Sequence, residues 1–171
     1  MQNYFELFDL ETSFFIDDNE LKSSYRKEVS RFHPDNYATK SESEKLQALQ
    51  NTSLLNTAFN SLKTPLNRAS YLLKLENIDP FDEKDTSMKQ DFLIGQIDLR
   101  EELEVIEEGR DSLGLEDFME RVDLHIEKNT ESIFKAFELK TDLMDIKTNV
   151  RELKFYDQLY KEANKLMDEM L

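Results

Sequence analysis

Lys22-Ser23-Ser24-Tyr25-Arg26-Lys27-Glu28-Val29-Ser30-Arg31-Phe32-His33-Pro34-Asp35 is the stretch whose reading decides the fold. With Leu21 in front of it, apolar residues recur at Leu21, Tyr25, Val29 and Phe32, steps of four, four and three that place them on one side of a helix. Asn19 is the expected N-cap. Pro34 has no amide proton and biases His33 away from helical dihedrals, so the helix is expected to stop near Phe32 and leave His33-Pro34-Asp35 in a loop. Lys22, Arg26, Lys27 and Arg31 lie off the apolar stripe and form a basic face in a chain whose formal net charge is -15. Solvation is the commoner fate of four basic residues. Beside an exposed loop, however, they form a footprint for an acidic partner, favouring encounter and orientation more than raw affinity.

Outward from this stretch, a second helix begins near Ser43 and runs through Leu55, Phe59 and Leu62 to Pro65. A shorter one follows over Leu66–Leu75, carrying Ala69, Tyr71, Leu72 and Leu75. Residues 1–75 therefore read as one small helical domain. Its centre is an antiparallel hairpin of helices with short flanking helices, and the hairpin's tip is the loop. Glu76-Asn77-Ile78-Asp79-Pro80-Phe81-Asp82 interrupts the helical period, and residues 76–86 read as a linker. Beyond it, three helical segments, about 87–108, 115–139 and 142–170, are separated by Gly109 to Gly114 and by Lys140-Thr141-Asp142. Loops this short favour antiparallel neighbours, so residues 87–171 read as a three-helix bundle and the fold class as all-α.

Composition narrows function. The chain has 171 residues and no cysteine, which excludes disulfides and thiolate ligands for zinc or iron-sulfur clusters. The charge of -15 disfavours a nucleic-acid partner. No apolar run is long enough to span a bilayer, and Met1-Gln2-Asn3-Tyr4 lacks the start of a signal sequence, so a cytoplasmic protein is expected. Ser, His and Asp are present without a nucleophile motif, and His125 has no second histidine nearby. No catalytic residue, metal site or cofactor is expected. The remote enzyme reading is a metal-dependent one using His33, His125 and carboxylates.

In the second half, Phe92, Leu99, Leu103 and Ile106 fall within about 60° of one another on a helical projection and suffice to face the bundle. Ile94, Ile97 and Val105 project to roughly the opposite side, among Asp98 and Glu101, with Leu93 at the edge. A helix touching two neighbours buries a wide arc that could take in Leu93 and Ile97. Ile94 and Val105 are harder to hide. An apolar patch rimmed by carboxylates has the form of a protein-docking surface. On the last helix Ile146, Val150, Leu153 and Tyr160 define the inward stripe, and Phe155, pointing away from it, is an additional anchor for that surface.

Tyr4-Phe5-Glu6-Leu7-Phe8, the helix ending at Phe32, His33-Pro34-Asp35, and Leu55-Asn56-Thr57-Ala58-Phe59 with Leu62 resemble, in order and spacing, a J domain, the regulator of Hsp70 chaperones. Pro65-Leu66-Asn67-Arg68-Ala69-Ser70-Tyr71-Leu72-Leu73, Leu99-Arg100-Glu101-Glu102-Leu103-Glu104 and Val150-Arg151-Glu152-Leu153-Lys154-Phe155 extend the likeness over essentially the whole chain, to the HscB (Hsc20) branch. The resemblance implies a non-enzymatic co-chaperone that brings the iron-sulfur scaffold protein IscU to a specialised Hsp70, HscA. By position, His33, Pro34 and Asp35 would stimulate the Hsp70 ATPase, with Tyr25, Arg26, Lys27, Lys22 and Arg31 as supporting contacts. Leu93, Ile94, Ile97, Asp98, Glu101, Val105 and Phe155 would hold the scaffold.

Three positions depart from the family pattern. Asn36 stands where lysine is usual, Asp9 where a glycine often ends the first helix, and Val105 where an acid is common. The absence of the cysteine-bearing N-terminal extension of some eukaryotic relatives favours a bacterial-type form. A J protein serving an unrelated client is the alternative, separable by a pull-down with purified scaffold.

Overall fold

The computed structural model describes residues 3–170; Met1 and Gln2, part of the stretch read for a signal sequence, and Leu171 lie outside them. Among the described residues there are seven α-helices, one 3-10 turn and no strand: α1 (Tyr4–Leu7), α2 (Asp18–Arg31), the turn Pro34–Tyr37, α3 (Glu42–Leu62), α4 (Pro65–Leu75), α5 (Gln90–Gly109), α6 (Ser112–Glu138) and α7 (Leu143–Met170). None is long and apolar enough to cross a membrane. The chain divides into two compact units, residues 1–72 and 73–171.

Local chemistry sets the ends of these helices. Asp17, not Asn19, caps α2: its carboxylate accepts from the amides of Asn19 and Glu20 at 2.7 and 3.2 Å. Asn19 already lies inside the first turn. Ser41 and Glu44 form a reciprocal capping box that starts α3 at Glu42, one residue before Ser43, and Pro65 opens α4, where its missing amide proton costs nothing. Asp9 takes the left-handed conformation, φ 56°, that a glycine would otherwise supply after α1.

Within the first unit, α2 and α3 are riveted together by one aromatic side chain. The Tyr25 ring stacks on Phe59 with centroids 4.2 Å apart, meets Phe8 edge-on at 6.3 Å, and donates its hydroxyl to Asn56 Oδ1 at 2.7 Å. Phe5, Phe8, Phe14, Leu21, Leu55 and Leu62 complete the core. Arg68 closes the base of the unit. Only 4% exposed, it donates to the carbonyls of Leu62 and Phe14 at 2.9 and 3.0 Å and to Asp18 Oδ1 at 2.7 Å.

In the second unit α6 and α7 pair along their length, with Leu115, Phe118, Val122, Leu159 and Ala163 in the shared core. Arg110, left-handed at φ 48°, makes the α5–α6 turn, and Asp111 caps α6 through the amide of Gly114. A side-chain carbon at Gly114 would meet that capping carboxylate, which would have to shift to admit it. Residues 76–86, expected as a linker, fold with the second unit. Asp85 accepts from Lys147 and Ser87 and lies 3.3 Å from Arg151, while Arg151 donates to the Asp85 carbonyl at 2.7 Å. The bonds to Lys147 and Arg151 span more than sixty residues of sequence and tie the segment to α7.

Replacing Arg68 with Met should destabilise the first unit by about 3–5 kcal/mol, because two carbonyls and a carboxylate lose a buried charged donor. Urea unfolding followed by circular dichroism checks this. The hydrogen bonds from Lys147 and Ser87 hold the Asp85 carboxyl well below its ordinary value of 3.8. Its contribution is therefore complete above that pH and is lost as the pH falls beneath it. Asp85→Asn should lower the melting temperature at neutral pH and flatten its decline from about pH 5 to about pH 2.5.

Candidate functional site

The first candidate site is the tip of the α2–α3 hairpin. Phe32 and His33 leave α2 with their amides on the carbonyls of Val29 and Ser30, at 3.1 and 3.4 Å. Pro34 then starts the 3-10 turn, which His33 caps: its Nδ1 accepts from the Asp35 amide at 3.3 Å. That bond uses the Nδ1 lone pair and leaves the neutral ring's proton on Nε2. The imidazole side chain is 60% exposed and the Asp35 side chain 91%, with Nδ1 3.6 Å from the carboxylate. The tripeptide is thus a braced turn that shows two polar groups to solvent.

Asn36 completes the brace. Its side-chain amide donates to the Ser30 carbonyl at 2.9 Å, a second and shorter bond to the carbonyl that the His33 amide reaches at 3.4 Å, and its backbone amide donates to the His33 carbonyl at 2.9 Å. A lysine could not make the first of these bonds in the same way, so the departure exchanges a positive charge for local rigidity. Lys22, Arg26, Lys27 and Arg31 are all exposed along α2, and Arg31 is steadied by Glu28 at 2.8 Å. Tyr25, half-exposed beside these residues, has its ring and hydroxyl engaged between α2 and α3 and so also helps to position the basic face.

The second candidate site is the outer face of α5. Phe92, Leu99, Leu103 and Ile106 pack inward. Ion pairs fix both flanks: Arg100 meets Glu162 of α7 at 3.1 Å, and Glu102 pairs with Arg121 of α6. Held on both sides, the helix can only turn its remaining face outward. Leu93, Ile94, Ile97 and Val105 are 41%, 50%, 57% and 68% exposed, and Asp98 and Glu101 are exposed among them. Six of the seven residues expected to hold a scaffold therefore lie together on the exposed face of α5.

Phe155 is the exception and a correction. It is 8% exposed, belongs to the core with Ile106 and Tyr156, meets Phe92 edge-on at 5.7 Å, and lies under the Arg100 guanidinium at 5.5 Å. It does lie off the α6-facing stripe of α7, but α5 covers that second arc and buries it. His125 is exposed, with its ring stacked on Tyr156 at 4.6 Å, and partial burial lowers its pKa, helped by Lys128 and Arg121. Among the described residues no three His, Asp or Glu side chains converge as a metal site. Residues that sequence reasoning missed line a hollow behind the loop, among them Tyr37, Ala38, Ala48 and Leu49. The exposed leucines of α3 were its only signal.

Residues 88–164 match the family model described as "HSCB C-terminal oligomerisation domain". The chain is 38% identical over 165 residues to a co-chaperone protein HscB homolog of Photobacterium profundum, covering 96% of each chain. Among solved structures it resembles chaperone HscB from Vibrio cholerae with a TM-score of 0.83 and 34% identity, covering 99% of this chain and 100% of that one. The human co-chaperone protein HscB also gives a TM-score of 0.83, at 26% identity, covering 96% of this chain and 82% of that one.

The two apolar positions on α7 and α5 should respond oppositely to truncation. Phe155→Ala should cost the second unit about 3–5 kcal/mol, whereas Ile97→Ala should stay within about 0.5 kcal/mol of the parent. Thermal denaturation of the two variants in parallel distinguishes them.

Proposed function

The chain belongs to the HscB family of co-chaperones, and on that premise we propose that it stimulates the ATPase of a specialised, HscA-like Hsp70 through the His33-Pro34-Asp35 turn and delivers an IscU-like iron-sulfur scaffold protein to it from the face of α5. Its place of work is the cytoplasm, and it carries out no covalent chemistry of its own. The observation that carries the reading is the pairing, in one chain, of a braced polar turn beside a basic helix with a carboxylate-rimmed apolar face.

Each surface suits its assigned task. The turn presents an imidazole and a carboxylate at fixed separation next to Lys22, Arg26, Lys27 and Arg31, which favours approach by an acidic surface of the chaperone. On α5, four roughly half-exposed side chains would yield about 3–6 kcal/mol when a partner covers the rest of them. Micromolar affinity requires about 8 kcal/mol net. Polar contacts from Asp98 and Glu101 must supply much of the difference, so scaffold binding should be reversible and salt-sensitive. A client that dissociates readily is what a delivery protein needs. Holding client and activator on one chain raises their effective concentration at the Hsp70.

His33→Gln should abolish ATPase stimulation while leaving helicity, melting temperature and scaffold binding at parent values, because the side chain stands in solvent. A comparable loss of melting temperature would make the residue structural instead. The double change Ile94→Ala and Ile97→Ala should weaken scaffold binding about tenfold or more by calorimetry, with intrinsic stimulation of the Hsp70 retained. Undiminished affinity would move the client to another surface.

A further inference from the structure

Behind the His33-Pro34-Asp35 turn, within the first unit, lies an open cavity of about 340 Å3 whose walls include Phe32, Pro34, Tyr37, Ala48, Leu49 and Thr52. The lining is almost wholly carbon. Thr52 turns its hydroxyl back to the Ala48 carbonyl at 3.0 Å and offers its methyl, and Lys45 at the rim is drawn to Glu42 at 2.8 Å. Leu49 is 66% exposed on the wall, and Leu46, three residues earlier on the same helix, is 56% exposed. Scattered exposed leucines need no explanation, but two on neighbouring positions of α3 beside an apolar hollow form a contiguous greasy surface.

We propose that this cavity is a socket for one large apolar side chain, of leucine or phenylalanine size, carried on an acidic segment of the chaperone that the turn engages; the proposal rests on the function assigned above and adds a recognition element to it. Position selects that occupant first. Pro34 belongs both to the turn and to the cavity wall, so a protein touching the exposed imidazole stands at the cavity's mouth.

Charge selects it second. Residues 22–45 carry six basic side chains (Lys22, Arg26, Lys27, Arg31, Lys40, Lys45) against four acidic ones (Glu28, Asp35, Glu42, Glu44), a local excess of +2 in a chain of -15. A segment bearing carboxylates around its apolar anchor fits that surround. A second copy of this chain, at -15, is repelled by the rest of the molecule. Size agrees as well, since about 340 Å3 is at the low end for enclosing a small ligand and ample for one side chain. An anchor buried in a fitted pocket contributes affinity, whereas the turn triggers hydrolysis. Socket and turn therefore govern different parameters of the same stimulation curve.

Two substitutions on the full chain test this. Ala38→Trp sets a ring over the mouth from an exposed wall position, and Leu49→Gln makes an exposed part of the wall polar. Hsp70 ATPase is measured against co-chaperone concentration, with melting curves as the folding control. The expected result is a rise of about tenfold in the half-maximal concentration for Ala38→Trp and about threefold for Leu49→Gln, with maximal stimulation at the parent level. Were Ala38→Trp to misfold, the Leu49→Gln curve decides alone. Curves that overlay the parent's, or a lowered maximum at unchanged half-saturation, overturn the socket while leaving the chaperone reading intact. A parent protein that fails to stimulate overturns that reading and the socket with it.

Discussion

The stacking of Tyr25 on Phe59, edge-on to Phe8 and with its hydroxyl on Asn56, is the contact on which the hairpin of the first unit depends. It fixes α2 against α3, and two helices held in register leave the segment between Arg31 and Glu42 no route except a projecting tip. Pro34 stops α2, the His33 ring and the Asn36 amide close the open ends of the backbone, and the imidazole is left in water. The exposure of the imidazole and of the Asp35 carboxylate is thus a consequence of core packing some distance away. Loosening Tyr25 would move the basic face and the turn together.

The second unit obeys a different constraint. A helix that is apolar on two sides normally invites aggregation or a third neighbour. Here α5 is pinned by Arg100 to α7 and by Glu102 to α6, so rotation that would hide Ile94, Ile97 and Val105 also breaks two ion pairs and withdraws Phe92, Leu99 and Ile106 from the core. Exposed pairs such as these add little stability individually. The packing of Phe92, Leu99 and Ile106 sets the rotational register, and that register leaves Ile94, Ile97 and Val105 exposed.

Much of this was legible in the sequence because the signals are local. Pro34 declares the end of α2 wherever it falls, the spacing of Leu21, Tyr25, Val29 and Phe32 declares its buried side, and the two-sided apolarity of residues 92–106 declares an outer face. What escaped depended on partners distant in sequence. Asp17, Asp18 and Asn19 are all competent caps, and only the path of the chain chooses the first. Phe155 lies off the α6-facing stripe, but a single helix's period does not say that α5 will cover it. Turn formers in residues 76–86 were visible, whereas the clasp of Asp85 to Lys147 was not. The hollow behind the turn needs Ala48, Leu49 and Tyr37 to meet, which no spacing rule states.

In the proposed function one molecule couples two events: client capture on α5 and hydrolysis at a chaperone engaged by the turn. Its most direct measurement is the steady-state ATPase rate of a purified HscA-like Hsp70 with this protein, with an IscU-like scaffold protein, and with both. Coupling predicts a rate with both that exceeds the product of the two separate stimulations, and that falls back when Ile94 and Ile97 are changed to Ala. A rate no greater than the sum of the separate effects, or synergy that survives those substitutions, would contradict it.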